Sequence, residues 1–210
     1  MKALILTNGD YGDYSFCQEV SSYDFIICAD NGMKHARKLG ILPHLIVGDF
    51  DSCNPEDISY FKDKGISFLE LPTQKDQTDT EVAMETALQK GARVIDVYGG
   101  VGSRMDHSLA NIQLVYRCLQ KDVDMTLYNS QNIIQMTKQK INLKGEPGAL
   151  VSLIPFTNAV TGVTTSGLAY PLEKSSFVLG DALGVSNYMV GQDASVTIES
   201  GVLVVIQSKD

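Results

Sequence analysis

Two acidic segments in the first half of the chain follow predicted strands and could bind a metal ion. Asp49 and Asp51 come directly after the apolar run 45–47, and the second segment contains Asp76 and Asp79. If the chain stays extended beyond the first strand, side-chain alternation places Asp49 and Asp51 on the same side. Both carboxylates are anionic at neutral pH, and their mutual repulsion favours a bound cation. Mg²⁺ suits such a pair, because it prefers carboxylate oxygens, water and substrate phosphates.

Each acidic segment also has a purely structural explanation. In the first, Asp49 could begin a turn and Asp51 could cap the helix predicted from residue 55. In the second, Thr78 and Glu81 fit a capping box, and Asp79 would complement the helix macrodipole. Capping leaves Asp76 without a structural role. The sequence therefore favours a metal site for the first segment and leaves both explanations open for the second.

A glycine-rich segment, residues 99–107, leads from a predicted strand into a predicted helix. Glycines such as Gly100 would let backbone N–H groups approach a phosphate at the helix N-terminus, and Arg104 adds a bidentate phosphate donor. The spacing matches neither the dinucleotide-binding fingerprint nor the P-loop. The structural alternative is a tight turn with Asp106 as the N-cap of the helix.

Two shorter loops also follow predicted strands. One contains Asn8 and Gly9, and the other contains Asp30 and Asn31. Because ligands bind where the carboxyl ends of parallel strands meet, we expect all five loops to converge at one edge of a sheet. Carboxylates for a metal beside glycines and an arginine for phosphate are the parts of a Mg²⁺-nucleotide site. The residues alone therefore predict phosphoryl or pyrophosphoryl transfer.

The elements that would position these loops can be read from hydrophobic periodicity. Up to about residue 130, short apolar runs alternate with segments of helical period, which predicts βα units on a mainly parallel sheet flanked by helices. The expected strands span residues 3–7, 25–29, 45–47, 67–71, 93–98 and 125–128. The expected helices span residues 14–21, 32–39, 55–64, 79–90 and 106–120. The last helix has an apolar stripe formed by Leu109, Ile112, Tyr116 and Leu119, which places Asn111 on the other side.

After about residue 132 the sequence changes character. β-Branched and small residues dominate, and frequent glycines indicate turns, which predicts a smaller all-β sandwich domain. Expected strands span residues 149–154, 176–179, 194–198 and 201–207. We therefore predict two domains, residues 1–130 and residues 131–210. By composition alone, the loops around Tyr170 and around Ser186 and Asn187 are turns.

Composition excludes several classes of protein. The 210 residues are 44% hydrophobic and 20% charged, which is typical of a globular protein. The net charge of -8 argues against a nucleic-acid or anionic-lipid surface. The four cysteines contain no CxxC pair, so neither a zinc site nor a disulfide framework is indicated. No apolar run approaches the roughly 20 residues of a membrane span, and we expect a cytoplasmic protein.

Taken together, the motifs resemble those of the thiamine pyrophosphokinase family, which transfers diphosphate from ATP to thiamine. The matching segments are residues 29–32, 48–52, 76–79, 99–107 with Asn111, 167–170 and 186–187, in the family's order across nearly the whole chain. The resemblance implies an α/β nucleotide-binding catalytic domain followed by a β-sandwich domain for thiamine binding and dimerisation. It also implies a homodimer that uses Mg²⁺ with ATP as co-substrate.

The resemblance also implies a role for each matching residue. Asp49, Asp51 and Asp79 are the expected Mg²⁺-binding and catalytic carboxylates, with Asp76, Arg104 and Asp106 also catalytic. The expected ATP-binding residues are Asn8, Gly9, Asp30, Asn31, Gly100, Arg104 and Asn111. The expected thiamine-binding residues are Thr78, Asp79, Tyr170, Ser186 and Asn187. Tyr170 falls where the family often has a tryptophan that stacks on thiamine, whereas this chain has no tryptophan.

The expected reaction is in-line attack by the thiamine hydroxyl on the β-phosphorus of Mg·ATP, with AMP as the leaving group. Either Asp79 or Asp76 takes the hydroxyl proton, and the sequence does not choose between them. Two alternatives use the same loops. A Mg²⁺-dependent phosphohydrolase would activate water instead of an alcohol, and a nucleotide-sensing protein would bind ATP without turnover.

Overall fold

The computed structural model describes residues 1–17, 20–74 and 76–209. The chain divides into two compact units, a first unit of residues 1–130 and a second unit of residues 131–210. No helix within the described ranges is both long and apolar enough to cross a membrane. The predicted fold class, a mainly parallel α/β part followed by an all-β part, is confirmed.

The first unit is built on a parallel β-sheet. Its strands are β1 (Lys2–Leu6), β2 (Phe25–Ala29), β3 (Leu45–Gly48), β4 (Ser67–Glu70), β5 (Val94–Tyr98) and β6 (Asp124–Tyr128). Its α-helices are α1 (Gly32–Leu39), α2 (Pro55–Asp63), α3 (Asp79–Gln89) and α4 (Met105–Leu119). The strands lie in the order β6-β5-β1-β2-β3-β4, and each neighbouring pair is parallel. The strand order therefore reverses between β1 and β5.

Local sequence signals set the ends of three helices. The side chain of Asn54 accepts a hydrogen bond from the N–H of Glu56 and caps α2, which has proline at its first position. The alternative that Asp51 caps this helix is therefore wrong. Thr78 caps α3 by accepting from the N–H of Glu81. Gly40 ends α1 in the left-handed conformation, with φ of 67°. The predicted starts of α1, α2 and α3 are confirmed.

Two expectations for the first unit are wrong. The helix predicted over residues 14–21 is absent from its described part, where only Val20–Ser22 form a single 3-10 turn; Gln18 and Glu19 lie outside the described residues. The buried face of α4 also differs from the predicted one. Leu109 is 57% exposed, whereas Asn111 is buried at 7%. Polar Asn111 faces the core because its amide finds a backbone carbonyl there.

The second unit contains two antiparallel sheets in its described part. Its strands are β7 (Asn132–Thr137), β8 (Lys140–Lys144), β9 (Leu150–Pro155), β10 (Ala159–Ser166), β11 (Ser175–Val178), β12 (Asn187–Tyr188), β13 (Asp193–Thr197) and β14 (Leu203–Ser208). One sheet has the order β12-β9-β14-β7, and the other has the order β11-β10-β13-β8. Buried side chains from both sheets, including Leu153, Phe177 and Val196, share one apolar core, as in a β-sandwich.

A buried polar cluster lies within the parallel sheet of the first unit. Asp96 on β5 is 3% exposed; its Oδ2 atom lies 2.9 Å from Lys2 Nζ and accepts a hydrogen bond of 2.8 Å from the Tyr23 hydroxyl. The hydroxyls of Tyr23 and Tyr98 lie 3.0 Å apart. Burial, the Tyr98 hydroxyl and the charge of Asp96 together raise the pKa of Tyr23 far above its ordinary value. The cluster pairs a buried carboxylate with a cation and a phenol.

Asp96→Ala should destabilise the first unit by about 2 kcal/mol, because it removes the anion that pairs with Lys2 and the acceptor of Tyr23. Urea unfolding followed by circular dichroism would measure this change. Asp106→Asn is the matched control, because it breaks an ion pair that is exposed to solvent in the same unit. A midpoint for Asp96→Ala equal to that of the control would show that the cluster adds nothing to stability.

Candidate active site

Close backbone contacts join the loops at the carboxyl edge of the parallel sheet. A Cβ atom on Gly9 would overlap the carbonyl oxygen of Gly99, and one on Gly32 would overlap that of Leu6. A Cβ on Gly48 would lie only 3.1 Å from Asp30 Cα. These glycines let the loops after β1, β2, β3 and β5 pack against one another, which a larger residue would prevent. The structure therefore brings four of the predicted loops together at one edge.

The loops after β1 and β5 flank the point where the strand order reverses. The N–H of Thr7 donates to the carbonyl of Tyr98 at 3.0 Å, and the N–H of Asp10 donates to the carbonyl of Val101 at 3.4 Å. Asn8 is exposed between these two contacts. In open α/β sheets, ligands bind in the crevice at such a reversal point. The predicted nucleotide loops thus occupy the position where this fold holds its ligands.

Asn111, on α4, supports the glycine-rich loop by a hydrogen bond to its backbone. Its side-chain amide donates a 2.7 Å hydrogen bond to the carbonyl of Gly100. One turn earlier on α4, the Ser108 hydroxyl accepts from the N–H of Gly102 at 3.2 Å. The two side chains fix the loop backbone against α4. The geometry gives Asn111, predicted to bind ATP, the task of positioning this loop.

Arg104 and Asp106 form an exposed ion pair at the start of α4. Arg104 Nη2 lies 2.6 Å from Asp106 Oδ2, and 71% of the arginine side chain is exposed. Arg104 occupies the N-cap position, so the alternative that Asp106 is the N-cap is wrong; Asp106 lies in the first turn. The hydrogen bond from Arg104 is the main reason that the pKa of Asp106 falls to about 2.

The loop that carries Asp49 and Asp51 is a tight turn and not an extension of β3. Phe50 has φ of 61°, a left-handed conformation that is costly for a bulky residue, so the expectation that alternation would align the two carboxylates is wrong. Instead, Asp49 Oδ1 accepts a hydrogen bond of 3.3 Å from the N–H of Asp51. The Phe50 ring packs edge-on against Phe68, with centroids 5.4 Å apart. Strained residues of this kind cluster at functional sites.

Cys53, which the sequence analysis missed, lies among the carboxylates. Its Sγ atom donates to Asp30 Oδ1 over 3.0 Å. Burial first, and then the hydrogen bond and charge of Asp30 with the charges of Asp49 and Asp51, raise the pKa of the Cys53 thiol well above its ordinary value. The thiol thus stays neutral and shows that these carboxylates act on one small region. The one indication in the sequence was that Cys53 lies two residues after Asp51.

The polar side chain of Asn31 ties this turn to the next loop. Its Nδ2 atom donates to the carbonyl oxygen and the hydroxyl of Ser52, at 3.2 and 3.1 Å. Asn31 makes no side-chain cap at the start of α1. The contact therefore joins the loop after β2 to the loop after β3, and a direct role of Asn31 toward ATP stays a prediction.

The second acidic segment approaches the same edge from β4. The N–H of Leu71 donates to the carbonyl of Gly48 at 2.9 Å, so the chain leaves β4 beside the loop that follows β3. Asp76 is exposed, and Asp79 is half-buried in the first turn of α3. Among the described residues, no three His, Cys, Asp or Glu side chains are arranged to hold a metal ion by themselves. A metal ion here would therefore also need ligands such as water or substrate phosphate oxygens.

In the second unit, three predicted thiamine-side residues come together. The side chain of Asn187 accepts from the N–H of Tyr170 at 3.0 Å and donates to its carbonyl at 2.8 Å. Ser186 is exposed in a left-handed conformation, with φ of 62°. The rings of Tyr170 and Tyr188 meet edge-on, with centroids 5.9 Å apart. Sequence analysis missed Tyr188, although its position directly after Asn187 was a usable signal.

Comparison with known proteins identifies relatives of both parts of the chain. The family model for the thiamin pyrophosphokinase catalytic domain matches residues 16–127, and that for the thiamin pyrophosphokinase vitamin B1 binding domain matches residues 137–203. The chain is 32% identical to a thiamine pyrophosphokinase of Bacillus subtilis over 187 residues, which cover 88% of this chain and 87% of the relative.

Solved structures show the same similarity. The crystal structure of thiamine pyrophosphokinase from Bacillus subtilis matches with a TM-score of 0.90 and 28% identity, over 100% of both chains. That of thiamin pyrophosphokinase from Geobacillus thermodenitrificans matches with a TM-score of 0.86 and 26% identity, over 100% of this chain and 98% of the other. The Candida albicans enzyme, at 16% identity, shares the fold with a TM-score of 0.83, over 99% and 90% of the two chains.

The Arg104–Asp106 pair gives a pH prediction. Because the folded-state pKa of Asp106 is about 2 and the unfolded value is about 3.9, the pair persists above that range and is lost as the pH falls through about 2. A carbon-detected NMR titration of the Asp106 carboxyl group should show this midpoint. In Arg104→Met the midpoint should rise toward about 4. A midpoint near 4 in the unmodified protein would contradict the ion pair.

Proposed function

The chain belongs to the thiamine pyrophosphokinase family, and from this premise we propose how its residues carry out the reaction. The protein makes thiamine diphosphate from thiamine and ATP, with AMP as the second product. One structural observation supports this function best. The carboxylate turn after β3 and the glycine-rich loop after β5 lie at the same edge of one parallel sheet. That edge offers anionic groups for a metal beside backbone and arginine donors for phosphate.

ATP is proposed to bind across the reversal point between β1 and β5. Gly9 packs against the backbone of Gly99, and Gly100 packs against Leu127, so both loops lie close to the sheet. Their backbone N–H groups are proposed to bind the phosphates. Arg104, exposed at the start of α4, would exchange part of its contact with Asp106 for a phosphate oxygen. Asn8, Asp30, Asn31 and Asn111 complete the proposed ATP site, with Asn111 acting through the loop that it holds.

Mg²⁺ fits the residues present at this edge. Mg²⁺ is usually held by one or two protein carboxylates together with water and substrate phosphates, so a preformed cluster of three side chains is not required. Asp49 and Asp51 lie on one turn, and the charges of both reach Cys53 together with that of Asp30. We propose Asp49, Asp51 and Asp79 as the residues that would hold the ion. When bound, it would neutralise phosphate charge.

The chemical step is a direct displacement. The thiamine hydroxyl oxygen forms a bond to the β-phosphorus of ATP. The bond from that phosphorus to the oxygen it shares with the α-phosphate breaks, and AMP leaves with the electron pair. Asp79 or Asp76 accepts the hydroxyl proton. Asp79 is half-buried and held in the first turn of α3, whereas Asp76 is exposed in the preceding loop. Arg104 and Asp106 are proposed to lie beside the transferring group.

Thiamine is proposed to meet the aromatic loop of the second unit. Tyr170, Ser186 and Asn187 all lie within the residues matched by the vitamin B1 binding model. Tyr170 is 64% exposed, so one face of its ring is available to a cationic heterocycle. Asn187 fixes the backbone of Tyr170 on both sides of that residue. Thr78 and Asp79 are the proposed thiamine contacts from the first unit.

We further propose that the protein is a cytoplasmic homodimer in which residues 1–130 are the nucleotide-binding catalytic domain and residues 131–210 bind thiamine and form the dimer. All four cysteines are free, which fits a reducing compartment. The dimer is carried over from the family resemblance. Sedimentation equilibrium that gives a mass near 22.9 kDa, the mass of one chain, would contradict it.

Asp51→Asn should lower kcat by about 100-fold while the circular dichroism spectrum stays unchanged, because the side chain keeps its size and loses the charge proposed to hold Mg²⁺. Chromatography of AMP and thiamine diphosphate, with and without thiamine, measures the reaction. Asp63→Asn, at an exposed carboxylate in the last turn of α2, is the control. Near-normal turnover of Asp51→Asn would remove Asp51 from the site, and products independent of thiamine would indicate hydrolysis.

Tyr170→Ala should raise the KM for thiamine by about tenfold and leave the KM for ATP unchanged, because the aromatic face is lost. Tyr170→Phe keeps that face and should bind thiamine nearly as well as the unmodified protein. Initial rates at varied thiamine and saturating ATP give both values. An equal rise in the two KM values, or a loss in Tyr170→Phe as large as in Tyr170→Ala, would contradict stacking.

A further inference from the structure

Arg117, near the end of α4, contacts two glutamates of α3. Its Nη1 atom pairs with Glu81 Oε1, and its Nη2 atom lies 2.9 Å from Glu85 Oε1. Glu81 and Glu85 are four residues apart, so their like charges lie on neighbouring turns of one helix and repel each other. The guanidinium between them offsets this repulsion and joins α3 to α4. No part of the function derived above uses this cluster.

The cluster continues into the second acidic segment. Gln77 Nε2 donates to Glu85 Oε2 at 2.9 Å and to Glu81 Oε1 at 3.4 Å. Glu85 thus binds Arg117 with one oxygen and Gln77 with the other. Gln77 lies between Asp76 and Thr78 in the loop that leads into α3. Its contacts with the two glutamates anchor that loop just before the Thr78 cap.

We infer that Arg117 is a positioning residue for diphosphate transfer, which holds Gln77 through Glu85. It thereby fixes the loop that carries Asp76 and leads into Asp79, the first residue of α3. The inference rests on the proposed function, in which one of these two aspartates takes the thiamine proton. It adds a residue that touches neither substrate. Because α4 also anchors the glycine-rich loop through Asn111, the contact links the acidic segment to the same helix that holds the nucleotide loop.

The partial exposure of this cluster distinguishes a positioning role in catalysis from a role in stability alone. The side chains of Arg117, Glu81 and Glu85 are 40%, 20% and 33% exposed, so solvent screens the pair and its loss should have a modest effect on folding. The geometry of a proton acceptor is more sensitive, because small displacements of reacting groups change the rate strongly. Loss of Arg117 should therefore lower kcat more than it lowers stability.

The test is a double-mutant cycle with Arg117→Met, Gln77→Ala and the double variant, using thiamine diphosphate formation at saturating thiamine, ATP and Mg²⁺. Arg117→Met should lower kcat by about tenfold with KM for ATP within about twofold, and Gln77→Ala should lower kcat by about fivefold. If Arg117 acts through Gln77, the double variant should be no slower than Arg117→Met by more than about twofold, whereas independent effects would multiply to about fiftyfold.

Arg37→Met is the matched control. Arg37 is also 40% exposed, and it joins α1 to α2 through an ion pair of 2.6 Å with Asp57 in the same unit. This variant should lose similar stability in urea unfolding yet keep kcat within about twofold. Arg117→Lys, which offers one point charge in place of a planar fork, should recover only part of the lost rate.

Several results would overturn the inference. These are a kcat within twofold of normal for Arg117→Met or for Gln77→Ala, multiplicative loss in the double variant, and an equal loss of kcat in Arg37→Met. Gln77→Ala changes an exposed side chain, so the test stands even if Arg117→Met does not fold. Absence of thiamine diphosphate with the unmodified protein would instead overturn the proposed function, and with it the inference.

Discussion

The close approach of backbones at the carboxyl edge of the parallel sheet is the constraint on which the site depends. A Cβ atom on Gly9 would overlap the backbone of Gly99, and one on Gly32 would overlap that of Leu6. A Cβ atom on Gly48 would lie only 3.1 Å from Asp30 Cα. Each contact joins loops from different strands, so the edge behaves as one packed layer of backbone. Polar groups carried by these loops then have fixed relative positions before any ligand arrives, which lowers the ordering cost of binding.

Strain at this edge is balanced by packing. Asp30 and Phe50 both have positive φ, at 48° and 61°, and neither is glycine. Phe50 can remain in this conformation because its ring lies against Phe68, and Asp30 is held by the thiol of Cys53. The turn between Asp49 and Asp51 therefore depends on an apolar contact as much as on its own hydrogen bond. The carboxylate turn and the aromatic contact beside it therefore cannot be varied independently.

Much of the fold was predictable because its signals are local. The βα alternation, the Thr78 cap and the change to an all-β part each depend on residues close in sequence. The predictions failed where tertiary contacts determine the local conformation or the buried face of a helix. The stripe at Leu109 is as periodic as the true buried face, and only the carbonyl of Gly100 makes polar Asn111 the inner residue. Likewise, no local rule shows that Phe50 turns the chain, because a partner on β4 holds it there.

Two buried asparagines illustrate why a sequence motif identifies a site better than it assigns roles. Asn111 and Asn187 are each 7% exposed, and both amides are engaged with backbone groups of a loop. Each loop also bears groups suited to a ligand, the backbone around Gly100 in one case and the ring of Tyr170 in the other. A buried amide that satisfies a loop backbone is costly to replace, because its loss leaves polar groups unpaired. Such a residue would be required for binding whether it contacts the ligand or only holds the loop that contacts it. A sequence motif does not distinguish these two roles. The distances show that both amides are engaged with loop backbone beside the surfaces proposed to bind substrate.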